Sequence, residues 1–227
     1  MPYADRPAVL NNFFGEHGLV GEGASLDYLL PLPFFVQLSI GGWSTGSGTH
    51  DEEEHAEEDG HFALADRVYT SRAWASFSLG DYSELEIGGS GAFGKGPHHD
   101  EHRDEVAVMG VDITYKAWPS AYRRLFLQGE MLYLMRDLPA DRISRWGFYG
   151  FSGYRFTRYW DAGLRYDWAE NALPEKEPTQ KFSAFITSHL TETTKVRFQY
   201  GYRLDAQIHE AVIQLIFGIG PHSHPLE

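Results

Sequence analysis

Cysteine is absent from the 227-residue chain, which excludes a disulfide framework, a thiolate metal site and a cysteine nucleophile. A long apolar run is absent as well. The longest apolar region, residues 28–40, is interrupted by Pro31, Pro33, Gln37 and Ser39. Because a membrane-spanning helix needs about 18 to 20 apolar residues in succession, a helical membrane protein is excluded.

Basic residues are few compared with acidic ones. The chain has 19 Lys and Arg against 32 Asp and Glu, which gives a formal net charge of -13 at pH 7. Phosphate binding requires clustered Lys and Arg, so the charge argues against nucleic acid and favours cations as partners. The first six residues lack the basic and apolar runs of a signal peptide, so we expect either an intracellular protein or part of a longer chain.

Aromatic residues, by contrast, are abundant: 15 Phe, 13 Tyr and 6 Trp make up 15% of the chain. Many of them lie in segments where apolar and polar residues alternate with the period of two that is typical of strands. The clearest segment is 106–117, in which Ala107, Met109, Val111, Ile113 and Tyr115 alternate with Val108, Gly110, Asp112, Thr114 and Lys116. The pattern predicts an all-β fold whose strands have two unlike faces.

Alternation alone does not distinguish a soluble β-sandwich, whose polar face meets water, from a membrane barrel, whose apolar face meets lipid. Segment length favours the barrel, because about nine to twelve residues suffice for a tilted strand to cross a bilayer. Aromatic residues also lie near segment ends, where they form belts at membrane interfaces: Trp43, Tyr69, Tyr115, Trp118, Trp146, Tyr159, Trp160, Trp168 and Tyr202. We therefore predict an antiparallel up-and-down transmembrane β-barrel.

The connections between the alternating segments are predicted to be short and long in turn. Residues 31–33, 80–82 and 191–193 are short connections, whereas 44–65 and 94–105 are long polar ones. Tight turns at one end and extended loops at the outer end are typical of outer-membrane barrels.

The number of strands is odd. We place about eleven, near residues 24–30, 34–43, 68–79, 83–93, 106–118, 124–136, 145–156, 160–170, 180–190, 194–203 and 208–219. Single-chain bacterial barrels have an even number, so we expect about 11–12 visible strands of a larger barrel that lacks amino-terminal strands here. The chain is divided accordingly into an outer loop or linker (1–20), a barrel domain (21–220) and a tail (221–227).

Several stretches resemble one family: Pro-Tyr-Ala-Asp-Arg-Pro at 2–7, Asn-Phe-Phe-Gly-Glu at 12–16, Gly-Val-Asp-Ile-Thr-Tyr-Lys at 110–116, Leu-Gln-Gly-Glu at 127–130 and Gln-Leu-Ile-Phe-Gly-Ile-Gly-Pro-His at 214–222. They resemble bacterial porin-like outer-membrane proteins, some of which are labelled zinc-regulated or TonB-linked. The resemblance covers nearly the whole chain. It implies a barrel in the bacterial outer membrane. We expect membrane lipid and small solutes or metal ions as partners, with a homo-oligomer as one arrangement.

The resemblance also bears on the two ends of the chain. In that family the segment similar to residues 2–16 follows several amino-terminal strands, which agrees with the odd strand count. Family members commonly end on an aromatic residue, whereas Pro225, Leu226 and Glu227 end this chain. The family motifs imply a fold and a location but no catalytic residues.

Two polar stretches carry potential metal ligands. Residues 50–61 contain three histidines and seven carboxylates, and residues 98–105 contain three more histidines. Imidazole and carboxylate groups are ligands for Zn²⁺, Ni²⁺ or Cu²⁺, so weak binding of zinc or another divalent cation is one interpretation. The other is a solvated acidic rim. The candidate ligands are His50, His55, His61, His98, His99 and His102.

The polar positions of the alternating segments form a second candidate set. They either brace a filled lumen through ion pairs across the strands or line an aqueous pore and set its ion preference. The set comprises Arg72, Glu84, Glu86, Asp112, Lys116, Glu130, Arg165, Asp167, Lys195 and Arg197.

Together these features predict a porin-like channel for small solutes or metal ions, without a required cofactor. The alternatives are a non-transporting or metal-sequestering surface barrel with a plugged lumen, and a soluble all-β binding domain. We expect no enzyme, because no motif marks a nucleophile and strand alternation places Ser188 and His189 on opposite faces.

Overall fold

The computed structural model describes residues 3–15, 18–45, 64–99, 102–137, 142–173 and 177–218. One short helix is followed by eleven strands in this part of the chain, which confirms the predicted all-β fold and its strand count. The elements are α1 (Ala8–Phe14), β1 (Glu22–Leu29), β2 (Phe35–Ser44), β3 (Ala65–Ser78), β4 (Ser83–His99), β5 (His102–Ala117), β6 (Arg124–Asp137), β7 (Arg142–Arg155), β8 (Trp160–Ala169), β9 (Thr179–His189), β10 (Thr194–Arg203) and β11 (Ile208–Phe217).

The strands form a single up-and-down sheet. Each strand pairs antiparallel with the strands before and after it in the chain, in the order β1 to β11. Among the described residues, β1 and β11 are not paired with each other, so the sheet is open along these two edges. Both edges therefore carry unpaired backbone hydrogen-bonding groups, which a closed barrel would satisfy.

The register keeps one side-chain face continuous across the sheet. Asp112 on β5 lies opposite Glu130 on β6, Glu130 lies opposite Tyr149 on β7, and Tyr149 lies opposite Asp167 on β8. Directly opposed residues share a face, so these four side chains project to the same side. We call this side, against which α1 packs, the inner face, and the opposite side the outer face.

The inner face carries the buried core, and α1 contacts it at β7, β8 and β9. Val9 and Phe13, four residues apart on one side of the helix, are fully buried there. The core continues along the inner face through one cluster of buried apolar residues: Tyr3, Ala8, Leu64, Val68, Ala92, Val106, Val108, Leu132, Leu134, Tyr149, Phe151, Ala169, Ala172 and Phe185.

The outer face is apolar and exposed. Val111 is 62% exposed and Ile213 is 76% exposed. The outward positions of β5 from 107 to 115 and of β6 from 125 to 135 carry no Asp, Glu, Lys or Arg. Leaving such side chains in water forgoes roughly 1.5–3 kcal/mol each, so an apolar environment around the sheet is strongly favoured.

A membrane-crossing helix is not found in the part of the chain that the structure describes, where α1 has seven residues.

The predicted long connection at 94–105 is wrong. β4 continues to His99 and β5 begins at His102, and the backbones of these two residues lie opposite each other. Gly94, Gly96 and Pro97 indicate a loop by composition, but the register shifts between Lys95 and His98. Such a bulge accommodates a proline, which has no N–H for the ladder.

The prediction that Trp43 belongs to an outer aromatic belt is wrong. It lies opposite the fully buried Val68, on the inner face, and its Nε1 donates a hydrogen bond to Thr70 Oγ1 at 2.8 Å. Strand alternation decides this placement, because nearness to a strand end does not specify a face.

The close approach of α1 to β7 depends on Gly147. A Cβ atom at Gly147 would lie 2.8 Å from Val9 Cγ2 and from the Cα and Cβ atoms of Ala169, whereas one at Gly150 would have nothing within 4 Å. We expect Gly147→Ala to lower the free energy of unfolding by about 1–3 kcal/mol, the usual cost of overpacking.

Denaturant titration of the folded protein in detergent checks this prediction, with Gly150→Ala on the same strand as the matched control. Equal stabilities of the two variants would show that α1 does not pack as closely as described.

Candidate functional site

All ten predicted lumen residues lie on the inner face. The register shows this, because residues directly opposite each other on neighbouring strands share a face. For example, Arg72 lies opposite Ser90, Glu84 lies opposite Lys116, and Asp167 lies opposite Lys181. Some of them form ion pairs across strands, including Arg72 with Asp112 at 2.9 Å and Lys116 with Glu86 at 2.7 Å. They are Arg72, Glu84, Glu86, Asp112, Lys116, Glu130, Arg165, Asp167, Lys195 and Arg197.

The segment from residue 3 to residue 15, which we call the internal segment, covers part of this face. Sequence alone predicts an outer loop or linker over residues 1–20, and it does not predict that this segment packs on the inner face. The spacing of Val9 and Phe13 and a proline at the helix N-cap, Pro7, are the local signals. A helix of seven residues is marginal without tertiary contacts, so those signals are too weak to place it.

Arg165 on β8 is the centre of the contact between the internal segment and the sheet. Its side chain is 1% exposed, and Nε donates to Asp167 Oδ2 at 2.7 Å. The two terminal nitrogens reach Asp5: Nη2 donates to Oδ2 and Nη1 donates to the backbone carbonyl, both at 3.0 Å. The guanidinium also lies 4.6 Å from the centroid of the Tyr3 ring, within the range of a cation–π contact.

Asp5 is bound by three strands at once. Besides Arg165 on β8, Lys181 Nζ on β9 lies 2.8 Å from Asp5 Oδ2, and Gln199 Nε2 on β10 donates to Asp5 Oδ1. The Ala4 N–H donates to Gln199 Oε1 at 2.7 Å. Burial alone would raise the pKa of the Asp5 carboxyl, but Arg165, Lys181 and Gln199 outweigh that effect and leave the pKa lowered.

The start of α1 is bound by the same cluster. The Ala8 N–H donates to Asp167 Oδ1 at 3.2 Å, and Asn12 Nδ2 donates to the Glu170 carbonyl at 3.2 Å. Asp167 thus accepts hydrogen bonds from both Arg165 and α1 while fully buried. These two hydrogen bonds attach α1 to β8 and to Glu170, the residue that follows it.

Tyr3 completes the packing on the neighbouring strand. Its ring meets Tyr149 and Phe151 edge-on, at centroid distances of 6.3 and 5.7 Å. Tyr3 hydrogen-bonds to Tyr149, which hydrogen-bonds to Glu130. Tyr3 thus links the internal segment to Glu130 on the inner face through hydrogen bonds.

Space remains on both sides of the internal segment. A cavity of about 700 Å³ lies between the segment and the inner face of β1–β6, where Asp27, Arg72 and Glu130 contribute to its wall. A second cavity of about 330 Å³ lies on the side of the short connections, where Phe151 and Arg197 contribute. The inner face is thus partly filled by the segment and partly open.

The predicted metal ligands His50, His55 and His61 lie outside the described residues. His98 and His99 end β4, and His102 begins β5. Among the side chains that the structure describes, no group of three or more His, Asp or Glu residues could hold a metal ion. Metal binding by the two His-rich stretches stays a prediction.

No protein-family model matches the sequence. An uncharacterised protein of Aquifex aeolicus (strain VF5) is 28% identical over 260 residues, and the match covers 98% of this chain and 55% of that protein. The chain therefore spans about half the length of the curated relative that it matches.

Among solved structures, the CymD monoaromatic hydrocarbon channel matches with a TM-score of 0.36 and 9% sequence identity, over 86% of this chain and 76% of that chain. The class of the fold rests instead on the strand order and register: an all-β, up-and-down antiparallel sheet with an apolar outer face and a charged inner face.

The lowered pKa of Asp5 predicts a pH dependence for the internal segment. A carboxyl whose folded-state pKa is depressed stabilises the structure above its unfolded-state pKa of about 4, and that contribution is lost as the pH falls through the folded-state value. We expect hydrogen exchange of residues 4–14, corrected for intrinsic rates, to be slow from pH 7 to 5 and to accelerate below about pH 4.

Asp5→Asn should accelerate this exchange at pH 7 by about tenfold or more, since a charged hydrogen-bond acceptor is lost, and should flatten its pH dependence. Asp137→Asn is the matched control, because Asp137 accepts a hydrogen bond from Arg142 at 2.9 Å and lies on the outer face, away from the internal segment. Exchange in Asp5→Asn that equals the wild type at pH 7 would refute the role of Asp5.

Proposed function

We propose that the sheet is part of an outer-membrane β-barrel that acts as a channel for small solutes, with its lumen narrowed by the internal segment. The observation that carries this proposal is the difference between the two faces over the middle of the sheet. The outer face is apolar over the central positions of β5 and β6, whereas the inner face carries the ten predicted charged residues, further charged residues such as Lys181, and two cavities.

A lipid environment accounts for the outer face better than water does. An exposed apolar surface that runs across several strands is unusual in a soluble monomer and marks an interface with protein or lipid. Outward rings near one end of β7 and β8 cluster together, with Trp146 and Trp168 at a centroid distance of 4.4 Å. Such rings are typical of the aromatic girdle of a membrane barrel.

A closed barrel requires a pairing partner for each of the two open edges of the sheet. β1 and β11 offer unpaired backbone groups, which cannot remain unsatisfied in lipid. We propose that further strands pair with these two edges in the membrane, either from the same protein or from a second copy. Closure would enclose the inner face and turn its two cavities into sections of one lumen.

The position of the internal segment favours a constricted lumen over a wide pore. It occupies the inner face of β7–β10 and is held by Arg165, Lys181 and Gln199. The cavities on either side of it leave room for solutes. The second candidate, a non-transporting barrel, is favoured by the complete burial of Val9 and Phe13, two side chains of the segment itself.

Conductance in planar bilayers tests the channel. The protein expressed from its complete gene should give stepwise currents, and Asp5→Asn should raise the unitary conductance or its noise because the internal segment is bound less tightly. Asp137→Asn, on the outer face, should conduct like the wild type.

Inserted, folded protein that carries no current would contradict the channel. If current then appeared only with Asp5→Asn, the internal segment would act as a plug and the non-transporting candidate would hold.

A further inference from the structure

The cavity of about 700 Å³ between the internal segment and the inner face of β1–β6 has a flat aromatic surface in its wall, the indole ring of Trp43. This ring lies over two glycines of β1 and β2. A Cβ atom at Gly41 would lie 2.7 Å from Trp43 Nε1, and one at Gly23 would lie 2.9 Å from Trp43 Cε3. We call the ring the aromatic platform and the space beside it the platform cavity.

A hydrogen bond holds the aromatic platform in place. Trp43 Nε1 donates to Thr70 Oγ1 at 2.8 Å, so the polar atom of the indole is satisfied within the sheet. One side of the ring rests on the glycines, and Trp43 also lines the platform cavity. A ring fixed in this way offers a ligand a large apolar surface at little entropic cost.

A row of polar side chains lies beside the aromatic platform on the inner face. Its members are directly opposite one another on four neighbouring strands, and all of them line the platform cavity: Asp27, Ser39, Arg72 and Ser90. Ser39 is the inward position next to Gly41 on β2. Successive inward positions lie about 7 Å apart along a strand, so one small ligand can contact both the platform and the row.

The two charged members of the row keep hydrogen-bonding capacity. Asp27 Oδ1 accepts from Gln37 Nε2 at 3.0 Å and from Ser39, whereas Oδ2 accepts no hydrogen bond within the part of the chain that the structure describes. Arg72 Nη2 donates to Asp112 Oδ1 at 2.9 Å. The Arg72 side chain is 41% exposed, and its Nε and Nη1 donate to none of the described groups. The row therefore offers a ligand acceptors as well as donors.

The charges in the wall of the platform cavity are of both signs. Two guanidinium groups, Arg6 and Arg72, line it together with two carboxylates, Asp27 and Glu130. A ligand with a net charge would meet a like charge in this wall, whereas a neutral ligand can use both signs through hydrogen bonds. The serine hydroxyls of the row, which donate and accept, suit such a ligand as well.

We propose that the platform cavity binds a neutral sugar. The C–H groups on one side of the sugar ring would pack on the negative face of the Trp43 indole, and the hydroxyls would hydrogen-bond to Asp27, Arg72 and the serines. The volume of the cavity lies within the range of small-molecule sites. As a step on a solute path, the site rests on the channel proposed above; as a binding site it does not.

Calorimetric titration with D-glucose, D-galactose and maltose tests the site in the full-length protein, in a detergent without sugar headgroups. Sorbitol has the hydroxyls without a closed ring, and cyclohexanol has a ring with a single hydroxyl. We expect at least one of the three sugars to bind about tenfold or more tightly than both comparators, because each comparator keeps only one kind of contact.

Trp43→Leu should weaken binding of that sugar by about tenfold or more, because the aromatic face is lost. Trp160→Leu, on the outer face, is the matched control.

Asp27→Asn should also weaken sugar binding by about tenfold or more, since a charged acceptor becomes neutral. Asp27 is exposed, so this variant should keep the denaturation midpoint of the wild type and thereby separate a loss of binding from a loss of folding. Asp137→Asn, on the outer face, should bind the sugar like the wild type.

Sugars that bind no more tightly than sorbitol and cyclohexanol, or sugar binding that survives both Trp43→Leu and Asp27→Asn, would overturn the site. Stepwise current without sugar binding would leave the channel standing and reject the site. Sugar binding that both substitutions weaken, without current, would support the site and reject the channel.

Discussion

The register of the antiparallel ladder is the constraint on which the rest of this structure depends. A slip of one residue would exchange the two faces of a strand, yet the pairing runs from β1 to β11 with the inner face kept continuous. Over the middle of β5 and β6 the outer face is apolar, because the charged residues of these two stretches lie at inward positions. The buried core and the internal segment both lie on the inner side of this division.

The inner face and the internal segment depend on each other electrostatically. Arg165 is almost fully buried, and Asp167 on its own strand satisfies only part of its guanidinium; the rest is bound by the carboxylate and backbone carbonyl of Asp5. A buried charge is tolerated when it is paired and hydrogen-bonded. At the other end of the inner face, Arg155 lies opposite Arg124 on one side and Asp161 on the other. A net charge of -13 therefore says little about the local charge of the inner face.

Alternation predicts the strands and their faces well, because a period of two is a local property. It places Asp112, Glu130 and Arg165 on one face correctly. It does not predict that α1 packs against the inner face, since a helix of seven residues depends on contacts such as that of Ala8 with Asp167, 159 residues away in sequence. Nor does it predict the β4–β5 hairpin, where pairing overrides Gly96 and Pro97. The opposition of Arg124 and Arg155 requires the exact register, which composition does not supply.

The absence of cysteine allows the central claim, a sheet with a lipid-facing and a water-facing side, to be measured by single-cysteine labelling in liposomes. Val111→Cys and Leu164→Cys lie on the outer face, whereas Ser90→Cys and Lys195→Cys line cavities on the inner face. The account predicts that a water-soluble maleimide modifies the inner pair and not the outer pair, which only a lipid-soluble reagent reaches. Equal modification of all four cysteines by the water-soluble reagent would contradict it.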